Sequence, residues 1–208
     1  NFEEWSIAAK DLDISHFKFA LDKMSLDGAL FDIDKLNYFS KEYIAKEPAK
    51  VLAPKVLAWA EKYNENFRIK ILSDEPYFEK ILNIEKERPN PRKDYAKYSD
   101  IEPLTRFFYE DDYKEITADP LPFNPRYDED TIGALLQDFA LKMPYGVDET
   151  TWWEGVKVIA GIHGFAPSNK EYKANPKTYI GNASDAAEIL RIALTGSKDS
   201  PNLHEVIE

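Results

Sequence analysis

Cysteine is absent from the 208 residues, methionine occurs twice and histidine three times. Without cysteine there can be no disulfide framework and no thiolate-ligated zinc, and the chain is compatible with a reducing cytosol. His16, His163 and His204 lie far apart and lack His-Glu-x-x-His spacing, which speaks against a zinc site or a catalytic dyad built from them. Glycine is scarce, with eight residues, and no strand–turn–helix Gly-rich loop is present to cradle phosphates. No apolar run approaches the roughly 18 residues that a membrane helix needs, so no spanning segment is expected. The chain opens Asn1-Phe2-Glu3-Glu4-Trp5. With no initiator methionine, basic n-region or small-residue cleavage site, it reads as a piece of something longer, with no signal peptide in view.

What is present describes a folded, acidic, helical protein. Hydrophobic residues make up 43% and aromatics 13%, enough to bury a core in one large domain or two small ones. The net charge of −11 argues against indiscriminate nucleic-acid binding, but the charge is unevenly spread. Between Phe108 and Thr151 eleven acids face three bases. Residues Lys86–Tyr98 instead carry five bases against two acids, and Lys157–Ala183 carries Lys157, Lys170, Lys173 and Lys177 against Glu171 alone. Such runs are commonly just solvated surface. Two basic islands in an acidic chain nevertheless suit a phosphate backbone better than a uniform surface would.

Periodicity is helical almost throughout, and the fold class read from it is all-α. Ile132, Leu135, Leu136, Phe139 and Met143 form a stripe at helical spacing, with Asp128-Glu129-Asp130 where the helix dipole favours acids. Ala186, Ile189, Leu190, Ala193 and Leu194 form another, with Ser184 or Asp185 as N-cap. Gly196 suits a C-terminal position of positive φ, and Pro201 the first turn of a following helix. Further helices are expected over Asp34–Lys46, Pro48–Tyr63, Pro76–Glu85, Asp100–Glu110 and Glu149–His163. Asp27–Phe31 could turn into a short extended piece. Pro120, Pro122 and Pro125 break the pattern and place a boundary near residues 111–127.

Few residues announce chemistry on their own. Lys23-Met24-Ser25 has the start of an ATP-loop signature but continues Leu26-Asp27-Gly28, without the second lysine and serine. Of Trp152 and Trp153, one ring belongs in a core and the other can reach the surface. Arg92 and Lys93, in Arg88-Pro89-Asn90-Pro91-Arg92-Lys93, read equally as a solvated basic turn or as an RNA contact that grips phosphate or a base edge. Arg191 sits about 140° around its helix from Ala186. From there it can lie over the core or point to a ligand at the helix's C-terminal corner, beside the polar Ser197–Asn202 loop.

Four segments in fixed order carry a family resemblance. Phe31-Asp32-Ile33-Asp34-Lys35-Leu36-Asn37-Tyr38-Phe39-Ser40-Lys41-Glu42-Tyr43-Ile44 resembles the Phe-Asp-x-x-Lys-Leu-x-Trp-x-Asn-x-x-Tyr-Ile segment of bacterial glutamyl-tRNA synthetases, with Tyr38 and Ser40 in place of Trp and Asn. Pro91-Arg92-Lys93-Asp94, followed by Phe107-Phe108-Tyr109, is similar to a segment of one branch of that family. Glu171-Tyr172-Lys173-Ala174-Asn175-Pro176 and Leu190-Arg191-Ile192-Ala193-Leu194-Thr195-Gly196…Ser200-Pro201-Asn202-Leu203 are similar to the end of the same branch. In this alignment Lys23-Met24-Ser25 falls after the family's true signature loop and is a decoy.

The resemblance implies a C-terminal piece of a class I glutamate–tRNA ligase. Residues 1–46 would end the stem-contacting region, 47–110 and 128–208 would form two helical anticodon-binding subdomains, and 111–127 would link them. Arg191, Ser200, Pro201 and Leu203 would contact the first two anticodon bases, and Arg92 or Lys93 the third. Lys157, Lys170, Lys173 and Lys177 are candidate phosphate contacts. The partner implied is the anticodon arm of tRNA-Glu, in a cytoplasmic, monomeric enzyme without membrane contact. No catalytic residue, metal or cofactor is expected here, because ATP and Mg²⁺ would act in the missing catalytic domain. The rival reading is a helical protein-interaction module without RNA affinity, suggested by the acidic central segment.

Overall fold

A computed structural model describes residues 2–8, 14–23 and 32–208. The turn expected at Asp27–Phe31 and the Met24-Ser25 part of the decoy tripeptide lie outside the described residues. The regular structure of the described chain is almost all helix: α1 (Phe2–Ala8), α2 (Ile33–Lys46), α3 (Ala49–Tyr63), α4 (Glu65–Ser73) and α5 (Glu75–Asn83) come first. A less regular stretch holds α6 (Ile101–Thr105) and α7 (Glu110–Ile116). Then follow α8 (Glu129–Lys142), α9 (Glu149–Ile162), α10 (Asn169–Ala174), α11 (Ala183–Thr195) and α12 (Leu203–Ile207). The strands are two residues each, β1 (Phe165–Ala166) and β2 (Gly181–Asn182), paired in parallel with Phe165 opposite Gly181. Among the described residues no helix is long and apolar enough to cross a membrane.

Caps written in the sequence set most helix starts. Asp32 accepts from the Asp34 and Lys35 amides at 3.0 Å, Asp128 from Thr131 at 2.8 Å, and Asp148 from Thr150 and Thr151 at 3.0 and 3.1 Å. The α3–α4–α5 run turns on single residues. Asn64 and Asp74 each end one helix and cap the next, accepting from Phe67 at 3.1 Å and Tyr77 at 2.9 Å. The cap of α11 is neither Ser184 nor Asp185 but Asn182, which accepts from Ser184, while Asp185 reaches back to the Asn182 amide at 2.8 Å. That reciprocal box satisfies two orphan donors, which a cap at Ser184 alone would leave to water.

Among the described residues the helices enclose two separate apolar cores. The first draws on Leu52, Val56 and Ala60 of α3, Phe67 and Ile71 of α4, Phe78 and Leu82 of α5, and Ile101. Phe67 and Phe78 meet edge-on at 5.7 Å between centroids. The second draws on the α8 stripe, Trp152, Val156 and Ile159 of α9, Phe165, the inner face of α11, and Leu203. As the periodicity predicts, Ile132, Leu135, Phe139 and Met143 are buried, and Trp152 is in the core with Trp153 at its edge.

Three local expectations change. Asp100–Glu110 is not one helix, because α6 gives way to a 3-10 turn at Arg106–Phe108. There the buried Thr105 hydroxyl returns to the Ile101 carbonyl at 2.8 Å, and Phe108 and Tyr109 turn to meet Tyr77. The start of segment 111–127 is helical in α7, which ties back through Lys70 to Asp112 at 2.5 Å and across through the Tyr113 hydroxyl to the Ala193 carbonyl at 2.6 Å. Pro201 precedes α12 instead of lying in its first turn, since Asn202 is the cap. The Ser200 and Pro201 carbonyls are turned toward Arg191.

Candidate nucleic-acid interface

The last residues of α11 and the loop after it form the corner singled out in the sequence. Gly196 ends the helix at φ 72°, and its Cα is packed so closely that a Cβ would lie 2.1 Å from Ile116 Cγ2. The chain then returns so that Arg191 Nη1 donates to the Ser200 and Pro201 carbonyls, each at 2.8 Å, and to the Ser200 hydroxyl. Among the described residues the other donors of this guanidinium, Nε and Nη2, have no partner, and Arg191 lines an open cleft. Burial, then the positive charge of Arg92, pulls the Arg191 guanidinium below its ordinary pKa.

Arg92 reaches the same corner from the other core. Its Nη1 donates to the Ser200 carbonyl as well, so one oxygen accepts from both arginines. Burial lowers the Arg92 pKa, but the hydrogen bond and charge of Asp94 and the charges of Glu85 and Tyr95 outweigh it and the net shift is upward. Lys93 is not at this corner, because its ammonium pairs with Glu42 on α2. That hydrogen bond to Glu42 raises the Lys93 pKa.

Ser200 is buried, Pro201 half-buried, and the Leu203 side chain packs into the second core. What the Ser200–Leu203 stretch offers a ligand is therefore mainly backbone. The cleft beside it has a volume of about 570 Å³ and lies between the start of α9, the face of α11 carrying Ser184, Ala187 and Glu188, and loop residues Lys198, Asn202 and Leu203. That size falls in the ordinary range for small-ligand sites, about 300–1,000 Å³. Trp152 and Trp153 line it with near-parallel rings, 6.5 Å between centroids and 27° apart. The buried Trp152 Nε1 has no partner among the described residues, while its ring meets that of His204 at 5.8 Å.

Residues that sequence reasoning did not single out hold this corner together. Arg88 pairs with Glu205 at 2.7 Å and with Glu149 at 3.1 Å. The Asn202 amide group donates to Glu149 at 2.6 Å, and this bond, with help from Arg88, holds the Glu149 carboxyl below the usual carboxylate range. Arg88 had a signal, as a member of the basic island. Glu85, Glu149 and Glu205 had none, because their pairing joins residues more than 50 positions apart.

The lysines expected at phosphates lie elsewhere. Lys157 is on α9 and pairs with Glu154 at 2.6 Å. Lys170 and Lys173 on α10, and Lys177 just after it, are exposed. Since α10 packs on β1 and β2, and β2 leads into α11, this segment lies toward the end of α11 opposite Arg191. Nine residues of helix put that end about 14 Å from Arg191 along the axis. Among the described residues no group of three or more His, Cys, Asp or Glu side chains is placed to hold a metal ion.

No protein-family model matches the chain. No solved structure matches it either. Curated relatives do match along its whole length. A glutamate–tRNA ligase of Acetivibrio thermocellus is 37% identical over 206 residues, covering 99% of this chain and 37% of the relative. The ligase of Clostridium perfringens strain 13 is 32% identical over 207 residues, covering 100% of this chain and 38% of the relative. That of Sorangium cellulosum is 29% identical over 206 residues, covering 99% and 36%. The chain thus spans little more than a third of the length of these relatives.

Proposed function

The whole chain is related to a section of bacterial glutamate–tRNA ligases, consistent with their C-terminal portion, and from that kinship we propose that it reads the anticodon arm of tRNA-Glu. The observation that carries the reading is the Arg191 corner. A guanidinium fixed by one nitrogen keeps its remaining donors without a partner among the described residues, on a side chain that lines a cleft with tryptophans in its wall. RNA is read sequence-specifically where bases are splayed out of a loop, stacked on aromatic rings and hydrogen-bonded along their edges, and this corner offers both kinds of contact. The Ser200 and Pro201 carbonyls and the Asn202 amide are engaged by Arg191, Arg92 and Glu85, so this stretch contributes mainly by fixing where the Arg191 guanidinium sits. Arg92, rather than Lys93, is the member of the basic turn that shares this corner, and we assign it to the third base. Lys157, Lys170, Lys173 and Lys177 serve the phosphates.

Recognition here needs no chemistry. In the complete enzyme we assign glutamate activation, with its ATP and Mg²⁺, to the part of the relatives that this chain does not span, and the docking described here to tRNA identity. The test is filter binding of the chain to a tRNA-Glu anticodon stem–loop and to one altered at the second anticodon base. The cognate loop should bind more tightly, and Arg191→Ala should erase about 10- to 100-fold of that preference, the worth of one good bidentate base contact. Equal affinity for both loops, with no effect of Arg191→Ala, would overturn the proposal. No RNA binding at any salt concentration would favour a protein-interaction module instead.

A further inference from the structure

Glu85 is the one non-glycine residue with positive φ among the described residues, at 59°. Glycine or asparagine adopts that left-handed conformation with less strain, so a glutamate held there points to a use for its side chain. The side chain is largely buried at the joint between the two cores, with 16% exposure. Its Oε2 accepts from the Asn202 amide at 2.9 Å, and the same oxygen lies 3.8 Å from Arg92 Nη1. The Glu85 backbone amide in turn donates to the Glu205 carboxylate, which Arg88 also grips.

Two guanidiniums converge on the Ser200 carbonyl and repel one another. Glu85 is the carboxylate within reach of this pair that also holds the backbone of the loop they share. We infer that Glu85 is a positioning residue, whose carboxylate fixes the Ser200–Leu203 loop and holds Arg92 against it, so that anticodon discrimination depends on a side chain that touches no base. This rests on the anticodon-reading function proposed above.

Glu85→Gly separates the two roles of the position, since glycine accepts the backbone conformation and deletes the side chain with its carboxylate. The variant should stay folded, with unchanged circular dichroism. Exchange of the Asn202 amide should quicken about tenfold or more, and the preference for the cognate stem–loop over the second-base variant should fall by a similar factor, as expected when a hydrogen bond to a charged group is removed. Glu85→Asn, also at ease with positive φ but a methylene shorter, should behave alike and stands in should the glycine variant misfold. Glu85→Gln, which keeps an acceptor for Asn202 but no charge for Arg92, should lose less. Full discrimination in Glu85→Gly overturns the inference, whether or not the amide loses protection. Abolished discrimination with the Asn202 amide still protected overturns it too. Wild-type protein that shows no preference between the loops sinks the anticodon reading and this inference together. A discriminating wild type with an equally discriminating Glu85→Gly sinks the inference alone.

Discussion

Lys86 follows Glu85 and faces the other way, with its ammonium donating to the Ile44 carbonyl at 2.5 Å and reaching the Ala45 carbonyl at 3.4 Å. It therefore closes the C-terminal end of α2 as a half-buried cation, where the helix dipole favours positive charge. Burial penalises the charged form and brings its pKa from 10.5 down to about 8, with Glu47 opposing. The unfolded chain then holds a proton on this lysine through a pH range in which the folded chain has released it. Stability linked to Lys86 is accordingly lowest below about pH 8 and rises toward pH 10.5. The slope for one proton is at most about 1.4 kcal/mol per pH unit. Urea denaturation of wild type and Lys86→Met at pH 7.5 and 9.5 isolates it: the stability of wild type relative to the variant should increase with pH. Nothing in the sequence marks Lys86 out from its neighbours in the basic island. Its partners are backbone carbonyls some 40 residues away, and only the fold brings them near. Arg191 was legible in position but ambiguous in purpose, since helix geometry gives its angle on the helix and not what faces it.

At the scale of elements, the legible features were those encoded within a few residues. The acidic start of α8, the α8 and α11 stripes and the glycine stop at Gly196 all follow from local spacing. What escaped was set by partners distant in sequence. Helix α4 has only Phe67 and Ile71 buried, too few for a clear stripe, and the break after α6 reflects the pull of Tyr77 on Phe108 and Tyr109. Gly196 carries a double demand that the sequence shows only in part. Its positive φ was foreseeable, whereas its packing against Ile116 of α7 was not. Gly196→Ala should therefore destabilise by about 2–4 kcal/mol, summing left-handed strain and overpacking. Thermal unfolding would check this, and a loss below about 1 kcal/mol would mean that α7 yields freely.

Over the whole molecule, two apolar cores meet through a polar joint. Exposed ion pairs such as Arg88–Glu149 contribute about 1 kcal/mol or less each, so the joint is specified more by geometry than by strength. The bonds across this joint, made by Glu85, Arg88 and Arg92 on one side and Ser200, Asn202 and Glu205 on the other, could not be read from the sequence of either side alone. Charge is divided in a similar way. Lys170, Lys173 and, just after α10, Lys177 lie toward the start of α11 and the arginine corner at its other end, which on the proposed function separates phosphate grip from base reading. Replacing the three lysines by alanine should weaken binding to cognate and altered stem–loops equally. It should also flatten the dependence of log affinity on log salt by about 0.7–0.9 for each phosphate that is no longer neutralised. Binding measured from 50 to 200 mM salt would check this, and a change in preference between loops would count against the division.

The Ser200 carbonyl accepts from Arg92 of one core and Arg191 of the other. On the proposed function, two readers that share one oxygen and repel one another cannot respond independently, because displacing either shifts the hold on its neighbour. Errors at the bases they inspect should therefore be non-additive, and the corner would work as a coincidence detector that registers an anticodon as one word.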